Sequence, residues 1–481
     1  MEDNPYIKRW RKGLKRIALV YPNTYASGIA NIGLQYIYAY LNSLECICER
    51  FYIDVHEGIR SLESKTNLKD FDIALFSLQF EEDYFNAIRI LKKSNFKGLK
   101  IAGGPCAMIN PKPISKFFDA FVIGEVENTR ILEIIANARS IEDLECEGIW
   151  LKRGRVRRVY PKKLDFYLNR QIIADSVFGR CLILEVGRGC IRRCRFCVAR
   201  QIYSPPRWRD IRLLKDIAED YRGIVNKVCL VAPSTLDHPR IKDLLFELVD
   251  MGFMVSPSST RADRLDEEIV EILVEGGLKS ITIAPEAGSD KIRDILKKDL
   301  SEEDVINAVK VCIDKGIKSF KFYFMIGLPN ESLDDVKGIV ELVKRVREMK
   351  AEISVSVNPF VPKPHTPLQW CPYTCVYDVR EGFSVLKEKK KYLIKELSKI
   401  CNFNIGSIEK FAIQTILSRG DVDVSRIFDF KPSLRIAEKL GLTKYLNGFD
   451  IESELPWDFI EHNYKKERLI EEFIQVCEFQ N

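Results

Sequence analysis

The amino-acid sequence predicts an α/β fold built from two successive series of strands and helices, followed by a mainly helical end. Short apolar runs alternate with amphipathic stretches through the first 160 residues, which is typical of parallel α/β domains. A second series begins near residue 181, and helical patterns dominate after residue 376. We therefore predict domains at residues 1–160, 176–375 and 376–481 of this 481-residue chain, with a linker near residues 161–180.

Candidate strands of the first series lie at residues 16–21, 47–53, 72–77, 100–102 and 119–123. Open parallel sheets bind ligands beyond the carboxyl ends of their strands, so the loops that follow these strands should form one rim. Those loops are residues 22–28, 78–82, 103–105 and 124–127. Residues 150–159 predict a hairpin that turns at Gly154 and closes the edge of the domain.

Candidate strands of the second series lie at residues 181–185, 227–232, 253–257, 279–284, 319–325 and 352–357. Helical patterns separate them, for example at residues 265–275 and 302–314. The catalytic groups of βα barrels lie at the carboxyl ends of the strands, so we expect functional residues in the loops that follow. The lysine-rich stretch 381–399 predicts a helix with a solvated face.

Composition and charge predict a soluble globular protein. Hydrophobic residues make up 46% and charged residues 30%, and the net charge of +6 neither requires nor excludes an anionic partner. No apolar stretch approaches 18 residues, and the first residues lack the pattern of a signal peptide. Because the chain has 14 cysteines and no sign of a disulfide framework, we expect a cytoplasmic protein with no membrane partner.

Three closely spaced cysteines carry the strongest functional signal. Cys190, Cys194 and Cys197 have the spacing C-x3-C-x2-C, and Phe196 immediately precedes the last of them. A [4Fe–4S] cluster ordinarily takes four thiolates, so three thiolates leave one iron open to a further ligand. A zinc site fits less well because no second pair of ligands follows promptly. These three cysteines are therefore the predicted metal ligands.

The cysteine segment resembles the cluster loop of radical S-adenosylmethionine (radical SAM) enzymes. The resemblance implies a [4Fe–4S] cluster whose open iron chelates the methionine part of S-adenosylmethionine, and an external one-electron donor of the ferredoxin or flavodoxin type. The segments 284–289, 324–329 and 358–366 resemble one branch of this family, in which a cobalamin-binding-type domain precedes the barrel. The resemblance implies a Rossmann-like N-terminal domain, a partial (β/α)6 barrel and a helical C-terminal extension.

Cobalamin is implied by the resemblance alone. Segments 21–35, 76–79 and 102–106 resemble that branch's own front domain, but no cobalt-ligating D-x-H-x-x-G follows the first strand. His56 superficially resembles that histidine, yet it follows the second strand, and we interpret it as structural. Residues at the predicted rim that could contact a corrin are Asn23, Thr24, Ser77, Gln79, Gly103, Gly104 and Glu125.

The resemblance also suggests which residues contact S-adenosylmethionine. They are Phe196, Ser234, Arg261, Glu286 and Gly327. Glu286 could accept hydrogen bonds from both ribose hydroxyls, and Gly327 would let the backbone approach the adenine. Many radical SAM enzymes hold the methionine amine with a Gly-Gly-Glu after the second strand, whereas Ser234 belongs to an Ala-Pro-Ser-Thr there. Hydroxyls or carbonyls would have to substitute.

Each of these assignments has a structural alternative. Arg261 could pair the methionine carboxylate, or instead form a salt bridge to Asp263 or Asp266. Glu286 could form a helix cap or a salt bridge to Lys291 or Arg293. Gly327 could simply make a strand-to-helix turn.

The remaining cysteines and one basic segment give weaker indications of function. Cys371 and Cys375 could ligate an auxiliary cluster, but with no further cysteine pair nearby we interpret them as buried thiols. Methylthiotransferases hold a second cluster with three front-domain cysteines, an arrangement that this chain lacks. The basic residues 152–158 lack interleaved aromatic residues and predict a solvated hairpin.

Three hypotheses of function follow from the sequence. The first is a cobalamin-dependent methyltransferase that cleaves S-adenosylmethionine to a 5′-deoxyadenosyl radical and methylates an unactivated carbon. The second is a radical SAM enzyme of other outcome, such as modification of RNA, tRNA or a peptide, or a rearrangement, without functional cobalamin. The third is a non-catalytic iron–sulfur electron-transfer protein. We expect the substrate to be a protein, a peptide or a small molecule rather than a nucleic acid.

Overall fold

The computed structural model describes residues 2–168, 170–376 and 378–478, and the chain divides into two compact units. The first comprises Met1–Ile183, Leu417–Pro432 and Glu454–His462. The second comprises Leu184–Ile416, Ser433–Ser453 and Asn463–Asn481. Residues after 376 contribute segments to both units, a division that differs from three consecutive domains.

The first unit is built around a six-stranded sheet. Its strands are β1 (Lys15–Tyr21), β2 (Cys46–Tyr52), β3 (Ile73–Ser77), β4 (Leu99–Gly103), β5 (Ala120–Val122) and β6 (Ile149–Trp150). The order is β2-β1-β3-β4-β5-β6, in which β6 alone is antiparallel. The strand order reverses between β1 and β3, which is the topological switch point where open α/β sheets bind ligands.

Helices connect these strands. They are α1 (Tyr25–Ile29), α2 (Ile32–Ser43), α3 (Asp83–Ser94), α4 (Pro105–Ile109) and α5 (Ile131–Asn137), with short 3-10 helices at His56–Gly58, Leu68–Asp70, Lys112–Ile114 and Glu142–Leu144. The side chain of Asn31 caps α2 by accepting a hydrogen bond from the Leu34 amide, which satisfies one orphan donor of its first turn. Cys46 and Cys48 both point from β2 into the buried core, as period-2 alternation predicts.

The hairpin expected at residues 150–159 is wrong. Strand β7 (Val156–Arg157) does not pair with β6 but forms a parallel pair with Ile460–Glu461 near the C-terminus. The Trp150 ring packs 4.3 Å from that of Phe459, which explains why the C-terminal segment is preferred as the partner. A small antiparallel pair, β8 (Asp175–Ser176) and β9 (Gly179–Arg180), completes the strands of this unit's N-terminal part.

The second unit is a partial barrel. Its strands are β10 (Leu182–Glu185), β11 (Gly187–Arg188), β12 (Arg207–Trp208), β13 (Lys227–Val231), β14 (Met254–Pro257), β15 (Ser280–Glu286), β16 (Ser319–Ile326), β17 (Glu352–Pro359) and β18 (Asn402–Ile405). The sheet β10-β13-β14 and the sheet β15-β16-β17-β18 are linked by a parallel bridge between Thr260 and Ile283. Six of the strands were predicted, whereas β18, which pairs in parallel with β17, was not.

Helices surround the barrel and continue into the C-terminal region. They are α6 (Ala199–Ile202), α7 (Ile211–Glu219), α8 (Ile241–Asp250), α9 (Glu267–Glu275), α10 (Asp290–Ile295), α11 (Glu302–Asp314), α12 (Leu333–Glu348), α13 (Val379–Leu397), α14 (Ile408–Arg419), α15 (Leu434–Lys439) and α16 (Lys466–Glu478). Further 3-10 helices lie at Thr235–Asp237, Ala262–Arg264, Pro367–Trp370, Val422–Asp429 and Leu442–Leu446. Ser301 and Ser332 begin α11 and α12 with reciprocal capping boxes to Asp304 and Asp335.

Burial alternates along the barrel strands. In β16, Phe320, Phe322 and Phe324 are buried, whereas Tyr323 and Met325 between them are only partly buried. Alternate residues of a barrel strand face the outer helices and the interior, so the interior face of β16 is accessible. Along the lysine-rich α13, Lys387, Lys391 and Lys395 are exposed, which agrees with the solvated face that the sequence predicts, whereas Lys389 is buried.

No helix in the described part of the chain has the length and apolar character needed to cross a bilayer.

We predict that Gly104→Ala destabilises the first unit by ~2–3 kcal/mol. Gly104 has φ +95° and ψ −179°, a conformation that side chains rarely adopt, and an added Cβ would lie 2.7 Å from the Leu78 carbonyl oxygen. Gly154→Ala is the control, because its φ of +62° is left-handed but nothing lies within 4 Å, so it should cost only ~1 kcal/mol. Chemical denaturation of both variants measures the difference, and equal losses would contradict the steric argument.

Candidate active site

The loop with the three cysteines lies between β11 and α6. It leaves the short antiparallel pair β11–β12, and Gly189 at its start has φ +76° with the Tyr203 carbonyl oxygen 2.6 Å from where a Cβ would be. Gly187 likewise has no room for a side chain beside the Trp208 ring. The Gly-x-Gly that precedes Cys190 is therefore explained by close backbone packing, which fixes where the cysteine loop begins.

The three predicted ligands lie on one loop, where the Cys197 N–H donates to the Cys194 carbonyl oxygen over 3.3 Å. Burial raises the pKa of Cys190 and of Cys197, and raises that of Cys194 to about 11. Beyond burial, the charge of a second cysteine raises the pKa of each thiol. Cys194 acts on Cys190, Cys197 acts on Cys194, and Cys190 acts on Cys197. Metal ligation requires thiolates, so binding a cluster must release these protons, and nearby positive charge favours that step.

Basic groups supply that positive charge. The side chains of Lys298 and Arg261 lower the pKa of Cys194, and Lys298 also lowers that of Cys197. The backbone N–H of Arg192 donates to the sulfur of Cys190 over 3.4 Å. The donor set therefore fits an iron–sulfur cluster in its chemistry: three thiols on one loop, a backbone N–H on one sulfur and compensating cations.

Glu286 lies at the carboxyl end of β15, as predicted, but its partner was not foreseen. Its carboxylate pairs with Lys298 over 3.0 Å, and both side chains are largely buried. Lys291 instead bonds Asp335, and Arg293 bonds Asp290, so neither of the expected salt bridges forms. Lys298 thus connects the cysteine loop to Glu286. Its ammonium also lies 6.0 Å from the centre of the Phe196 ring.

Arg261 adopts its structural alternative. The guanidinium bonds the carboxylate of Asp263 through Nε over 2.8 Å and donates to the carbonyl oxygens of Lys298 and Asp299. These contacts occupy most of its N–H donors, whereas Asp266 pairs with Lys242 instead. Contact between Arg261 and the methionine carboxylate stays a prediction, and the geometry shows Arg261 as a brace for the loop that carries Lys298.

Ser234 follows β13 and belongs to an ionic network. Its hydroxyl donates to Asp237 over 2.6 Å, and Asp237 also accepts from Nε of Arg192 over 2.8 Å. Burial would raise the pKa of Asp237, but the hydrogen bonds from Arg192 and Ser234 hold it below its ordinary value. Arg192 continues to Asp263 over 3.2 Å, so Ser234 and Arg261 are joined through the cysteine loop itself.

Gly327 follows β16 and has φ +80°. Its N–H donates to the Glu331 carboxylate over 2.8 Å, and Glu331 forms a buried ion pair of 2.8 Å with Lys389 of α13. A Cβ at residue 327 would lie 3.2 Å from Leu386. The backbone conformation thus accounts for the glycine, and a direct ligand contact stays a prediction.

Phe196 packs between the strand ends. It contacts a buried cluster that includes Ala287 and Leu328, the residues that follow Glu286 and Gly327. The ring therefore fixes the cysteine loop against the ends of β15 and β16. Together with Lys298, it brings the predicted S-adenosylmethionine residues into one neighbourhood.

Backbone strain concentrates at the same edge. Glu286, Lys297 and Asp299 have φ values of +71°, +49° and +48°, and Asn330 and His365 beyond the next strands have +61° and +64°. Such conformations cost free energy in residues other than glycine and occur preferentially at functional sites. We therefore interpret the carboxyl ends of the barrel strands as the candidate functional face of the second unit.

A second group of thiols lies beyond the barrel. Cys371 is hydrogen-bonded to Cys375, whose pKa is raised chiefly by burial, and Cys477 of α16 also responds to Cys371. Cys477 is remote in sequence, which is why the pair looked isolated. Throughout the described residues, no three or more His, Cys, Asp or Glu side chains are arranged around a point that could hold a single metal ion. This result concerns single metal ions. In a [4Fe–4S] cluster each thiolate binds a different iron, so Cys190, Cys194 and Cys197 need not surround one point.

The predicted rim of the first unit is held together by an aspartate that the sequence did not reveal. Asp83 begins α3 and accepts hydrogen bonds from the Asn23 side chain over 2.9 Å and from the Gln79 N–H over 3.3 Å. The Gln79 amide in turn donates to the Ser77 hydroxyl over 2.9 Å. Asp83 thus ties the loop after β1 to the loop after β3, at the switch point of the sheet.

The remaining residues of the predicted rim are Thr24, Gly103, Gly104 and Glu125. Thr24 precedes α1, and Gly103 and Gly104 end β4, where Gly103 accepts a hydrogen bond from the Leu78 N–H over 2.9 Å. Glu125 is buried in an ion pair of 3.1 Å with Arg158. That pairing gives Glu125 a structural role, and contact with a ligand would require the pair to be broken. The sequence alone does not indicate a role for Asp83 or Lys298, because neither residue lies in a recognisable motif.

We predict that the stability of the first unit rises as the pH falls from 7 to 4 because of Asp83. Burial raises the pKa of Asp83 from 3.8 to about 6, against the lowering effect of its hydrogen bonds. The folded state therefore holds an extra proton between these values, and unfolding becomes harder by ~2 kcal/mol at pH 4 than at pH 7. The measurement is the difference in unfolding free energy between the wild type and Asp83→Asn across this range. A pH-independent difference would contradict the assignment.

Comparison with known proteins agrees with this architecture. Residues 184–343 match the model of the Radical SAM superfamily, and residues 33–160 match that of Radical SAM proteins, N-terminal. An uncharacterised protein of Methanocaldococcus jannaschii is 38% identical over 456 residues, covering 91% of this chain and 97% of that protein. An uncharacterised methyltransferase of Pyrococcus horikoshii is 24% identical over 380 residues, covering 72% and 78%.

Among solved structures, the apo form of the cobalamin-dependent S-adenosylmethionine radical enzyme OxsB resembles the chain with a TM-score of 0.52 and 16% identity. The match covers 69% of this chain and 52% of OxsB, so the chain spans about half the length of that protein. This likeness concerns the fold. With the family models and the Methanocaldococcus relative, it shows that the chain belongs to the radical SAM superfamily and is an enzyme of that family.

Proposed function

We propose that this protein binds one [4Fe–4S] cluster on Cys190, Cys194 and Cys197, cleaves S-adenosylmethionine to a 5′-deoxyadenosyl radical and uses cobalamin to methylate an unactivated carbon. One observation carries the proposal. The three thiols of the cysteine loop are connected through Lys298 to Glu286 at the carboxyl end of β15. A simple electron-transfer protein would not need a carboxylate paired with the lysine that acts on its cluster thiols.

The residues around the cluster have defined tasks. When bound, the cluster supplies the electron that breaks the sulfonium of S-adenosylmethionine. Arg192 holds the Cys190 sulfur through its N–H, and Lys298 offsets negative charge on two of the thiolates. The Phe196 ring packs against the buried cluster that includes Ala287 and Leu328. These residues would hold and orient an iron–sulfur cluster, and three thiolates would leave one iron without a protein ligand.

The nucleoside would lie along the ends of β15 and β16. The Glu286 carboxylate has lone pairs beyond the one that Lys298 occupies, so it can accept from ribose hydroxyls without losing its ion pair. Gly327 lies at the neighbouring strand end and is buried there, and it has no side chain that would obstruct a flat base. Ser234 supplies a hydroxyl oxygen that can still accept a hydrogen bond from the methionine amine.

Cobalamin is supported by the first unit and by the relatives. The strand order places the switch point between the loops of Asn23 and Gln79, where this class of sheet binds its ligands. OxsB is cobalamin-dependent, and the Pyrococcus relative is a methyltransferase by name. Thr24, Ser77, Gly103 and Gly104 complete the proposed rim, whereas Glu125 fits it poorly. Glycine at 103 and 104 lets the backbone approach a flat ring without side chains between them.

We further propose a cytoplasmic enzyme that takes electrons from a ferredoxin- or flavodoxin-type donor and acts on a protein, a peptide or a small molecule. The second candidate is a radical SAM enzyme of other outcome without functional cobalamin. It is favoured by one observation, namely that Asn23, Ser77 and Gln79 already satisfy one another through Asp83. The non-catalytic hypothesis is not retained, because the family is one of enzymes.

We predict that Glu286→Gln weakens binding of S-adenosylmethionine about ten- to a hundred-fold, corresponding to a loss of ~1.5–3 kcal/mol. The charged acceptor is lost from a largely buried site. The control is Lys291→Met, which leaves the pair of Glu286 with Lys298 intact because Lys291 pairs with Asp335, and should retain binding within about threefold. Equilibrium binding and thermal melting measure both variants. If Glu286→Gln loses stability but binds the cofactor as the control does, Glu286 is only half of an ion pair.

We predict that the triple Cys190/Cys194/Cys197→Ala variant loses the broad absorption near ~400 nm of the anaerobically prepared protein. Corrin binding should survive, because the cysteines lie outside the first unit. The matched control replaces Cys371, Cys375 and Cys477 with alanine and should keep the full iron content. About four irons per chain in the first variant would refute the cluster. A protein that holds the cluster but no hydroxocobalamin would favour the second candidate.

A further inference from the structure

A dense group of basic side chains surrounds one buried carboxylate beside the cysteine loop. Glu472 of α16 lies 3.2 Å from Arg200, 3.5 Å from Arg468 and 3.9 Å from both Arg195 and Lys297. In the described part of the chain, all the ion pairs of these four cations go to Glu472. We call these residues, together with Arg193, the basic patch.

Arg193 belongs to the basic patch through two contacts. Its carbonyl oxygen accepts a hydrogen bond from Arg200 over 3.2 Å, and its charge acts on the ammonium of Lys297. Burial lowers the pKa of Lys297 most, Glu472 raises it, and the three guanidinium groups of Arg195, Arg200 and Arg193 lower it further. These cations therefore repel one another, and the basic patch sets five positive charges against the one carboxylate of Glu472, while Glu467 and Glu471 are also exposed on α16.

The members of the basic patch differ in exposure. Arg195 and Arg200 are 3% and 10% exposed, so they add to the positive electrostatic potential of the surface but do not contact a partner directly. Lys297 and Arg468 are 32% and 55% exposed, and Arg193 also lies at the surface. Ile191, two residues before Arg193, is 53% exposed. The surface thus offers three accessible cations and one apolar side chain.

The position of the basic patch follows directly from the sequence. Arg193 and Arg195 flank Cys194, and Arg200 lies three residues after Cys197. Arg195 is fixed there by hydrogen bonds to the Ile295 carbonyl and to Gln475 of α16. The cysteine loop and α6 directly after it therefore contribute Arg193, Arg195 and Arg200 to the basic patch, whereas Lys297 comes from the loop after α10 and Arg468 from α16.

We propose that the basic patch is the docking surface for an acidic one-electron carrier protein that reduces the cluster. The inference rests on the proposed function, since it requires the cluster to be present. Excess positive charge steers an acidic partner to the surface and raises the association rate, and a small exposed apolar contact is typical of a transient redox encounter. One electron passes from the carrier to the cluster, so the carrier is oxidised and the cluster reduced, with no bond made or broken.

A purely structural role accounts for the basic patch less well. Glu472 needs one or two cations for its own neutralisation, and further cations at this spacing cost free energy through mutual repulsion. A solvent-exposed ion pair contributes little to stability, so Arg468 and Lys297 are not explained by stabilisation alone. An external anionic partner offsets the repulsion between these cations, which accounts for the excess positive charge.

The test compares two reductants on the full-length protein with its cluster. The variant is Lys297→Glu/Arg468→Glu, and the control is Lys310→Glu, an exposed lysine of α11. Reduced flavodoxin is the acidic protein donor, and photoreduced deazaflavin is the small donor. Cluster reduction is followed by stopped-flow absorbance at several salt concentrations. We expect the flavodoxin rate of the double variant to fall at least about tenfold and to lose most of its salt dependence, with the deazaflavin rate unchanged.

Three results would overturn the proposal. The first is an unchanged flavodoxin rate in the double variant. The second is an equal loss with both donors at full cluster content, which would show that the charges tune the cluster itself. The third is an unchanged flavodoxin rate together with lost binding of a labelled oligonucleotide, which would make the surface a nucleic-acid contact. A wild-type protein without a reducible cluster would instead refute the proposed function.

Discussion

The placement of three thiols on one loop, with Cys194 buried and Cys190 and Cys197 half-buried, is the constraint on which the candidate site depends. A thiolate without compensating charge is costly away from water, and burial raises the pKa of all three cysteines. The compensation comes from Lys298, which lies in the loop between α10 and α11, and from Arg192 within the cysteine loop. The barrel is what brings these separated segments together, because the carboxyl ends of its parallel strands meet at one edge.

The same constraint explains why the strand ends are braced so heavily. Lys298 must reach both Cys194 and Glu286, and its flanking residues adopt left-handed backbone conformations to allow it. Arg261 fixes that segment by bonding two of its carbonyl oxygens. Glu331 and Lys389 form a comparable brace beneath Gly327. Rigid support of this kind is required wherever a few side chains must hold a cofactor in a single geometry.

Sequence reasoning located most of the strands and the cysteine loop, but not the residues that pair with them. Six strands of the barrel and five of the first sheet follow from apolar runs, and the three cysteines follow from their spacing. Strand β18 was missed because it is short, polar and half-exposed, and the pairing of β7 with Ile460–Glu461 was missed because it joins distant segments. Lys298 and Asp83 were missed for a related reason. Their importance arises from tertiary proximity, to which neither periodicity nor a local motif responds.

The ion pair between Glu286 and Lys298 shows how a single observation can separate stability from function. Desolvating two charges costs several kcal/mol per ion, so a buried pair of this kind is weak evidence for a stabilising role. Here the pair also occurs at a residue with φ +71°, which adds strain. A well-packed apolar pair would serve stability better at lower cost. The arrangement is reasonable only if the Glu286 carboxylate is needed at the strand end and the Lys298 ammonium is needed by the thiolates. Each of the two charges then lowers the cost of burying the other.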